Sequence, residues 1–241
     1  MLKAVVVIPA RGGSKGIPHK NILNVAGKPL IAYTIEAALK SKTIRRVIVS
    51  TDNARIAEVA KSYGAEVPFL RPAELAKDDT PSLLVIQHAV KYVEENEGHK
   101  LGMIVVLQPT SPLRSERYID EAVEKLLKTG ADSVVTVFEV KHHPFWSFTA
   151  KGDKLYPFSK KGITTSRRQD LPMIYAVNGA VYAVRRDVLF EQNSLYGKDT
   201  RAVVMPYEES LDIDNYFDLF IAEMVLKYWK RWLHEARVQI Q

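Results

Sequence analysis

The sequence contains no cysteine. A disulfide framework, a thiolate zinc site and a cysteine nucleophile are therefore all excluded. It also lacks a long apolar run. The longest near its start, Ala4 to Ile8, falls far short of the roughly 18 residues a membrane span needs. Pro9 and Arg11 follow at once, so the segment does not read as a signal peptide, and the expectation is a cytoplasmic protein with no membrane partner. Internal repeats and low-complexity linkers are missing too, and the composition is too ordinary for a disordered or collagen-like chain. What is present is 241 residues, 46% hydrophobic and 26% charged. That is enough for one sizeable core and crowded for two full domains, so a single domain over 1–241 is expected.

Acidic charge is the minority sign: Lys and Arg number 34 against 28 Asp and Glu, a net charge of +6. This balance suits an anionic partner. The basic residues are dispersed rather than gathered into an arm, which favours a small anionic substrate over nucleic acid.

Short β-branched runs alternate with amphipathic stretches. Strands are expected at Lys3 to Ile8, Arg46 to Ser50, Glu66 to Leu70, Met103 to Leu107 and Ser133 to Val137. Between them the spacing predicts helices after Pro29, at Ala54 to Tyr63, at Ser82 to Glu97 and at Ser115 to Thr129. Such alternation predicts an α/β protein with a doubly wound, parallel sheet, whose ligands sit beyond the carboxyl ends of the strands. The loops starting at Ala10, Thr51, Arg71 and Gln108 would then share one crevice. From about 141 to 172 helical periodicity gives way to aromatic and basic residues, and Gly152-Asp153 suits a hairpin turn, so a β-rich excursion is expected. The sheet resumes at Ile174 to Val184 and Ala202 to Met205, and a last helix runs from about Asn215 to His234. On that helix Phe217, Phe220, Ile221, Met224, Tyr228 and Trp232 form the expected packing stripe.

Two motifs carry most of the chemistry. In Ala10-Arg11-Gly12-Gly13-Ser14-Lys15-Gly16, continuing to Lys20-Asn21, three glycines allow close backbone approach and a cradle of amide hydrogens, with cations beside it. Neither the Gly-x-x-x-x-Gly-Lys-Ser/Thr order nor the Gly-x-Gly-x-x-Gly turn is present, so this phosphate-binding candidate belongs to neither well-known loop class. In Asp212-Ile213-Asp214 an extended backbone would put both carboxylates on one side, as hard oxygen ligands for Mg²⁺ or Mn²⁺. The alternative there is that Asp214 caps the last helix. The segments Arg71 to Leu75, with Ser82 beyond, and Gln108 to Arg114 place polar groups in proline-stiffened loops, which suits base or sugar contacts and also plain turn chemistry. His142 and His143 are adjacent, would face opposite sides of a strand, and do not suit a shared ion.

The run Ile8 to Asn21, with Ser50-Thr51-Asp52, Leu70 to Ala76, Leu107 to Arg114, Asn178-Gly179-Ala180-Val181-Tyr182 and Leu211 to Asp214, resembles the acylneuraminate cytidylyltransferases, the CMP-sialic acid synthetases. The motifs occur in the family's order from residue 4 to about 225. The resemblance implies a Rossmann-like nucleotidyltransferase sheet, usually a homodimer whose excursion reaches the partner, and transfer of CMP from CTP to a nine-carbon 2-keto acid sugar with release of pyrophosphate. It further implies that Arg11, Gly12, Ser14, Lys15 and Lys20 gather around the triphosphate and that Asn21, Arg71 and Ser82 contact the cytidine. Gln108, Arg168 and Tyr182 would line the sugar pocket, Arg168 facing the carboxylate, while Asp212 and Asp214 bind the metal. Lys15, Arg11 and Asp214 would carry catalysis. Where sialate-using members often have lysine in the excursion and arginine before Asn-Gly, this chain has Trp146 and Ala176. That change suits a deoxy or additionally acylated sugar such as legionaminic acid. A 3-deoxy-octulosonate cytidylyltransferase and a non-catalytic nucleotide-binding regulator are the rival expectations.

Overall fold

A computed structural model describes residues 4–14, 16–159 and 167–239, without the side chains of Arg168 and residues 230–239. The uninterrupted apolar run at the start forms β1 (Ala4–Pro9), and it shows no polar alternation because both of its faces are covered. Ala4, Val6 and Ile8 enter a core shared with α1 (Leu30–Lys40), α2 (Ala54–Ser62) and α4 (Glu116–Thr129). Val5 and Val7 enter the opposite core, shared with α3 (Ser82–Glu97) and α5 (Arg186–Phe190). The period of two in β1 thus builds both layers. A small hairpin, β2 (Asn24–Val25) and β3 (Lys28–Pro29), precedes α1.

The sheet also takes in β4 (Ile44–Ser50), β5 (Met103–Val106), β6 (Ser133–Glu139), β9 (Tyr175–Arg185) and β10 (Thr200–Val204), and its six strands lie in the order β10-β6-β9-β5-β1-β4. All neighbours run parallel except β9, which is antiparallel to both β5 and β6. The fold is α/β, doubly wound and mainly parallel. That is the expected sheet, and β9, which follows the excursion, is its antiparallel strand. That excursion contains β7 (Phe148–Lys151) and β8 (Lys154–Pro157), paired as the expected hairpin, with Gly152 at φ 63° in its turn.

Two expectations are corrected. Glu66 to Leu70 forms no strand and makes only single bridges, Ile48 to Glu66 and Thr51 to Leu70. Pro68 has no N–H to give a ladder there. The packing stripe of the last helix, α6 (Tyr216–Gln239), is also displaced: Phe217 is 70% exposed and Phe220 and Tyr228 each 54%. Leu219, Ala222 and Leu226 pack instead, against Ile17, Val25, Leu30 and Ile213. This third, small core ties the glycine loop of the chain's start to the acidic segment near its end.

Candidate active site

A cleft of ≈ 640 Å³ opens beyond the carboxyl ends of β1 and β5, and Arg11, Ser14, Lys20, Asn21, Arg71 and Ser82 all line it. Next to it lies a cavity of ≈ 700 Å³ that shares Gln108, Tyr182 and Tyr196 with the first. Asp214 borders the cleft and Asp212 the cavity, so the acid pair stands on the seam between them. Lys15 and the side chain of Arg168 lie outside the described residues.

The glycine loop is shaped by what surrounds it. The Gly12 amide donates to Asp52 Oδ1 at 2.9 Å, and a Cβ on Gly12 would come within 2.9 Å of Asn53, the residue that caps α2 through the Ile56 amide. Gly12 therefore fixes the loop against α2, and its amide, expected to face an anion, is already engaged. The loop starting at Thr51 serves this anchoring and does not line the cleft. At Gly16 a Cβ would collide with the backbone oxygen of Asp214. Only glycine lets the two segments approach this closely. Asn21 is buried and donates to the Arg11 carbonyl at 2.9 Å. Arg11 reaches into the cleft, where its Nη1 meets Asp78 Oδ1 at 2.7 Å.

Arg71 forms part of the floor. It is buried, its Nε donates to Ser50 Oγ at 3.1 Å and its Nη2 to the Ser50 carbonyl. Burial pulls its guanidinium below the usual arginine value, Asp52 opposes that shift and Arg11 adds to it.

The acidic segment is held from several sides. Tyr118 donates to Glu209 Oε2 at 2.5 Å, Asn178 Nδ2 to Ser210 Oγ at 3.0 Å, and the Ile213 amide to the Thr110 carbonyl at 3.0 Å. Lys20 Nζ donates to the Ile213 carbonyl at 2.5 Å and stands 3.6 Å from Asp214 Oδ1. Lys20 thus lines the cleft on the side of the acids. The Asp214 carboxylate is open to solvent, with 78% of its side chain exposed. Burial pushes the Asp212 carboxyl up, Thr110 lowers it in part, and its buried Oδ1 has no hydrogen-bond partner among the described residues. A buried, unanswered carboxylate oxygen beside a second carboxylate fits a divalent cation. No third His, Asp or Glu joins them among the described residues, so the rest of such a shell would come from phosphate oxygens and water, as magnesium prefers. His143, by contrast, uses one ring nitrogen on the Phe145 amide at 3.1 Å and the other on the Pro172 carbonyl at 3.1 Å.

Tyr182 is buried between the two cavities, where burial and then Tyr196 raise its phenol above the usual value. Tyr196 and Asp78 are site residues the sequence does not announce. Tyr196 lies in the aperiodic run Asn193 to Gly197, and Asp78 in the charged run Lys77-Asp78-Asp79; turn composition marks both as loops but not where they point.

The chain is similar to known proteins over most of its length. A family model described as cytidylyltransferase matches residues 5–232. The chain is 36% identical over 230 residues to the CMP-N,N'-diacetyllegionaminic acid synthase of Legionella pneumophila, covering 94% of this chain and 97% of that one. It is 37% identical over 216 residues to an N-acylneuraminate cytidylyltransferase of Streptococcus agalactiae, covering 88% of this chain and 51% of that longer protein. A solved CMP:2-keto-3-deoxy-manno-octonic acid synthetase, complexed with CTP, superposes with a TM-score of 0.70 over 93% of this chain and 98% of that one, at 20% identity. That likeness fixes the fold as the Rossmann-like nucleotidyltransferase type. Among the described residues no helix is long and apolar enough to cross a membrane.

Proposed function

The chain belongs to the cytidylyltransferase family, and from that premise we propose how it works: it transfers CMP from CTP to the anomeric hydroxyl of a nine-carbon 2-keto acid sugar of the N-acylneuraminate or legionaminate type. One observation carries this reading. Arg11 and Ser14 of the early loop and Asp214 of the late segment line a single cleft, and Gly16 lies against the Asp214 backbone.

Arg11, Ser14 and Lys15 would hold the triphosphate, Arg11 exchanging the Asp78 carboxylate for phosphate oxygens. Asn21, Arg71 and Ser82 would orient the cytidine, and Gln108, Tyr182 and Arg168 the sugar. The sugar's anomeric oxygen then attacks the α-phosphorus in line. Its new bond to phosphorus forms as the bond to pyrophosphate breaks, and its proton passes to Asp214 or to solvent. Arg11 and Lys15 offset the charge growing on the leaving group. Asp212 and Asp214 would hold Mg²⁺, or Mn²⁺, which when bound supplies Lewis acidity at the reacting phosphate. The site of action on this reading is the cytoplasm, where CTP is made. A homodimer is part of the proposal too. Phe148, Leu155 and Phe158 of the hairpin are exposed, an apolar surface that a second copy would cover.

The test is pyrophosphate release with CTP, Mg²⁺ and a panel of sugar acids. Turnover with an acylneuraminate or a diacylated nonulosonate is expected, and turnover only with 3-deoxy-octulosonate would replace the sugar assignment. CTP binding with no pyrophosphate from any acid would favour a non-catalytic regulator. Trp146 and Ala176 favour the legionaminate type within the panel.

A further inference from the structure

Arg114 closes the loop that leaves β5, and only 3% of it is exposed. Its Nη1 donates to two backbone oxygens, that of Gln108 at 3.2 Å and that of Ala180 at 3.0 Å. No acceptor among the described residues meets its Nε or Nη2. Burial, with no carboxylate to oppose it, pulls the guanidinium down to about 9. A buried cation answered only by peptide oxygens of the described residues carries a desolvation cost, and its two hydrogen bonds to buried carbonyls offset part of that cost. A neutral donor would serve those two carbonyls at a smaller desolvation cost, so stability alone does not account for a cation here.

Its position does. The antiparallel pairing of β5 with β9 ends at Val106 opposite Tyr182. Continued in register, it would set Gln108 opposite Ala180, and there the guanidinium bridges the two carbonyls instead. Thr34 Oγ1 donates to the same Gln108 carbonyl at 3.3 Å, as does the Ser111 amide at 3.5 Å, so that oxygen has three donors. The Gln108 side chain lies against Gly179, where a Cβ would stand 3.0 Å from Gln108 Oε1 and φ is +72°. Gln108 borders both cavities and Gly179 the second.

We propose that Arg114 is a positioning residue for sugar recognition: by bridging the Gln108 and Ala180 carbonyls it fixes the Gln108 amide and the Asn178-Gly179 bend relative to each other on the sugar's side of the cleft. The proposal rests on Gln108 belonging to the sugar pocket. It also explains a buried charge with no partner carboxylate among the described residues at this point of the fold.

The experiment is steady-state kinetics and thermal melting of the full chain carrying R114M, beside wild type, with CTP and the sugar acid that wild type turns over best. R114M is expected to stay folded at the assay temperature with a lowered melting temperature, to lose about ten- to a hundredfold in kcat/KM for the sugar, and to keep KM for CTP within about twofold. R114K guards against misfolding of the first variant. Lysine is one bond shorter and reaches only part of the way, so a smaller, still sugar-specific loss is expected. In a Q108A background the R114M loss should largely vanish, because the two residues act as one unit. Wild-type kinetics in R114K, equal losses toward CTP and sugar, or full additivity with Q108A would each overturn the role. Wild-type turnover in the same assay carries the functional reading by itself, so a variant that matches it removes only the positioning role.

Discussion

At the residue scale, Asp212 and Asp214 show how two identical side chains two positions apart acquire different settings. Asp212 is pushed up by burial and has an oxygen without a partner among the described residues, whereas Asp214 stands mostly in solvent. The exposed member is the one that can be changed without disturbing the core. D214N is expected to leave the melting temperature unchanged and to lower kcat by at least about a hundredfold, read as pyrophosphate release; normal turnover would remove Asp214 from the reaction. Gly16 gives a second prediction. A Cβ there meets the backbone of Asp214, which cannot swing aside as a side chain would. G16A should therefore lose turnover by separating loop from acids, while circular dichroism stays that of the wild type; full activity would mean the contact is dispensable. Arg11, Ser14, Arg71 and Asp214 stand out as candidates in the sequence because their chemistry travels with their motifs, and all four line the cleft. Tyr196, Asp78 and the burial of Arg114 do not stand out, because each depends on which loop comes to lie beside it.

At the element scale, the turn from α1 into β4 is held by a single carboxylate of α4. Asp120 Oδ1 accepts from Ser41 Oγ at 2.6 Å, Thr43 Oγ1 at 2.8 Å and the amides of Lys42 and Thr43 at 3.0 and 3.1 Å. Burial works to raise this carboxyl, and the hydrogen bonds of Ser41, Thr43 and Lys42 together bring it below the ordinary aspartate value. A depressed folded-state value means stability that is fully present above the unfolded value of about 3.9 and is lost as the pH falls through the folded one. D120A is expected to cost about 1–3 kcal/mol at pH 7. The gap to wild type should stay constant down to about pH 5 and shrink only in more acidic buffer, as measured by urea unfolding at several pH values. A gap independent of pH would mean the carboxylate's charge contributes nothing. Elements with a strong period were readable in advance: Ser82 to Glu97 coincides with α3. Elements whose character depends on neighbours were not. Pro68 leaves Glu66 to Leu70 as two bridges, and α6 bears two apolar stripes of which tertiary contact selects one.

At the scale of the whole molecule, the small core of Ile17, Val25, Leu30, Ile213 and Ala222 joins the first thirty residues to the last sixth of the chain. I213A should cost about 2–5 kcal/mol, and at a temperature where the protein is still folded it should also reduce turnover, because the acids would lose their seat beside the loop. Unfolding and pyrophosphate assays on the same sample separate the two effects, and a stability loss with unchanged turnover would contradict the coupling. The exposed hairpin supplies a further test of assembly: L155D is expected to shift sedimentation from dimer to monomer and to weaken sugar turnover, whereas a wild type that sediments as a monomer at every concentration would end the dimer proposal. The sequence by itself determined the kinds of element, the two motifs and their chemistry, because hydrophobic period and residue type are local properties. Only the tertiary structure decided that Gly16 touches Asp214, that one stripe of α6 docks while Phe217 and Ile221 border the second cavity, and that Arg114 lies buried between two strands. Those outcomes depend on contacts between residues up to two hundred positions apart, where no periodicity in the chain reaches.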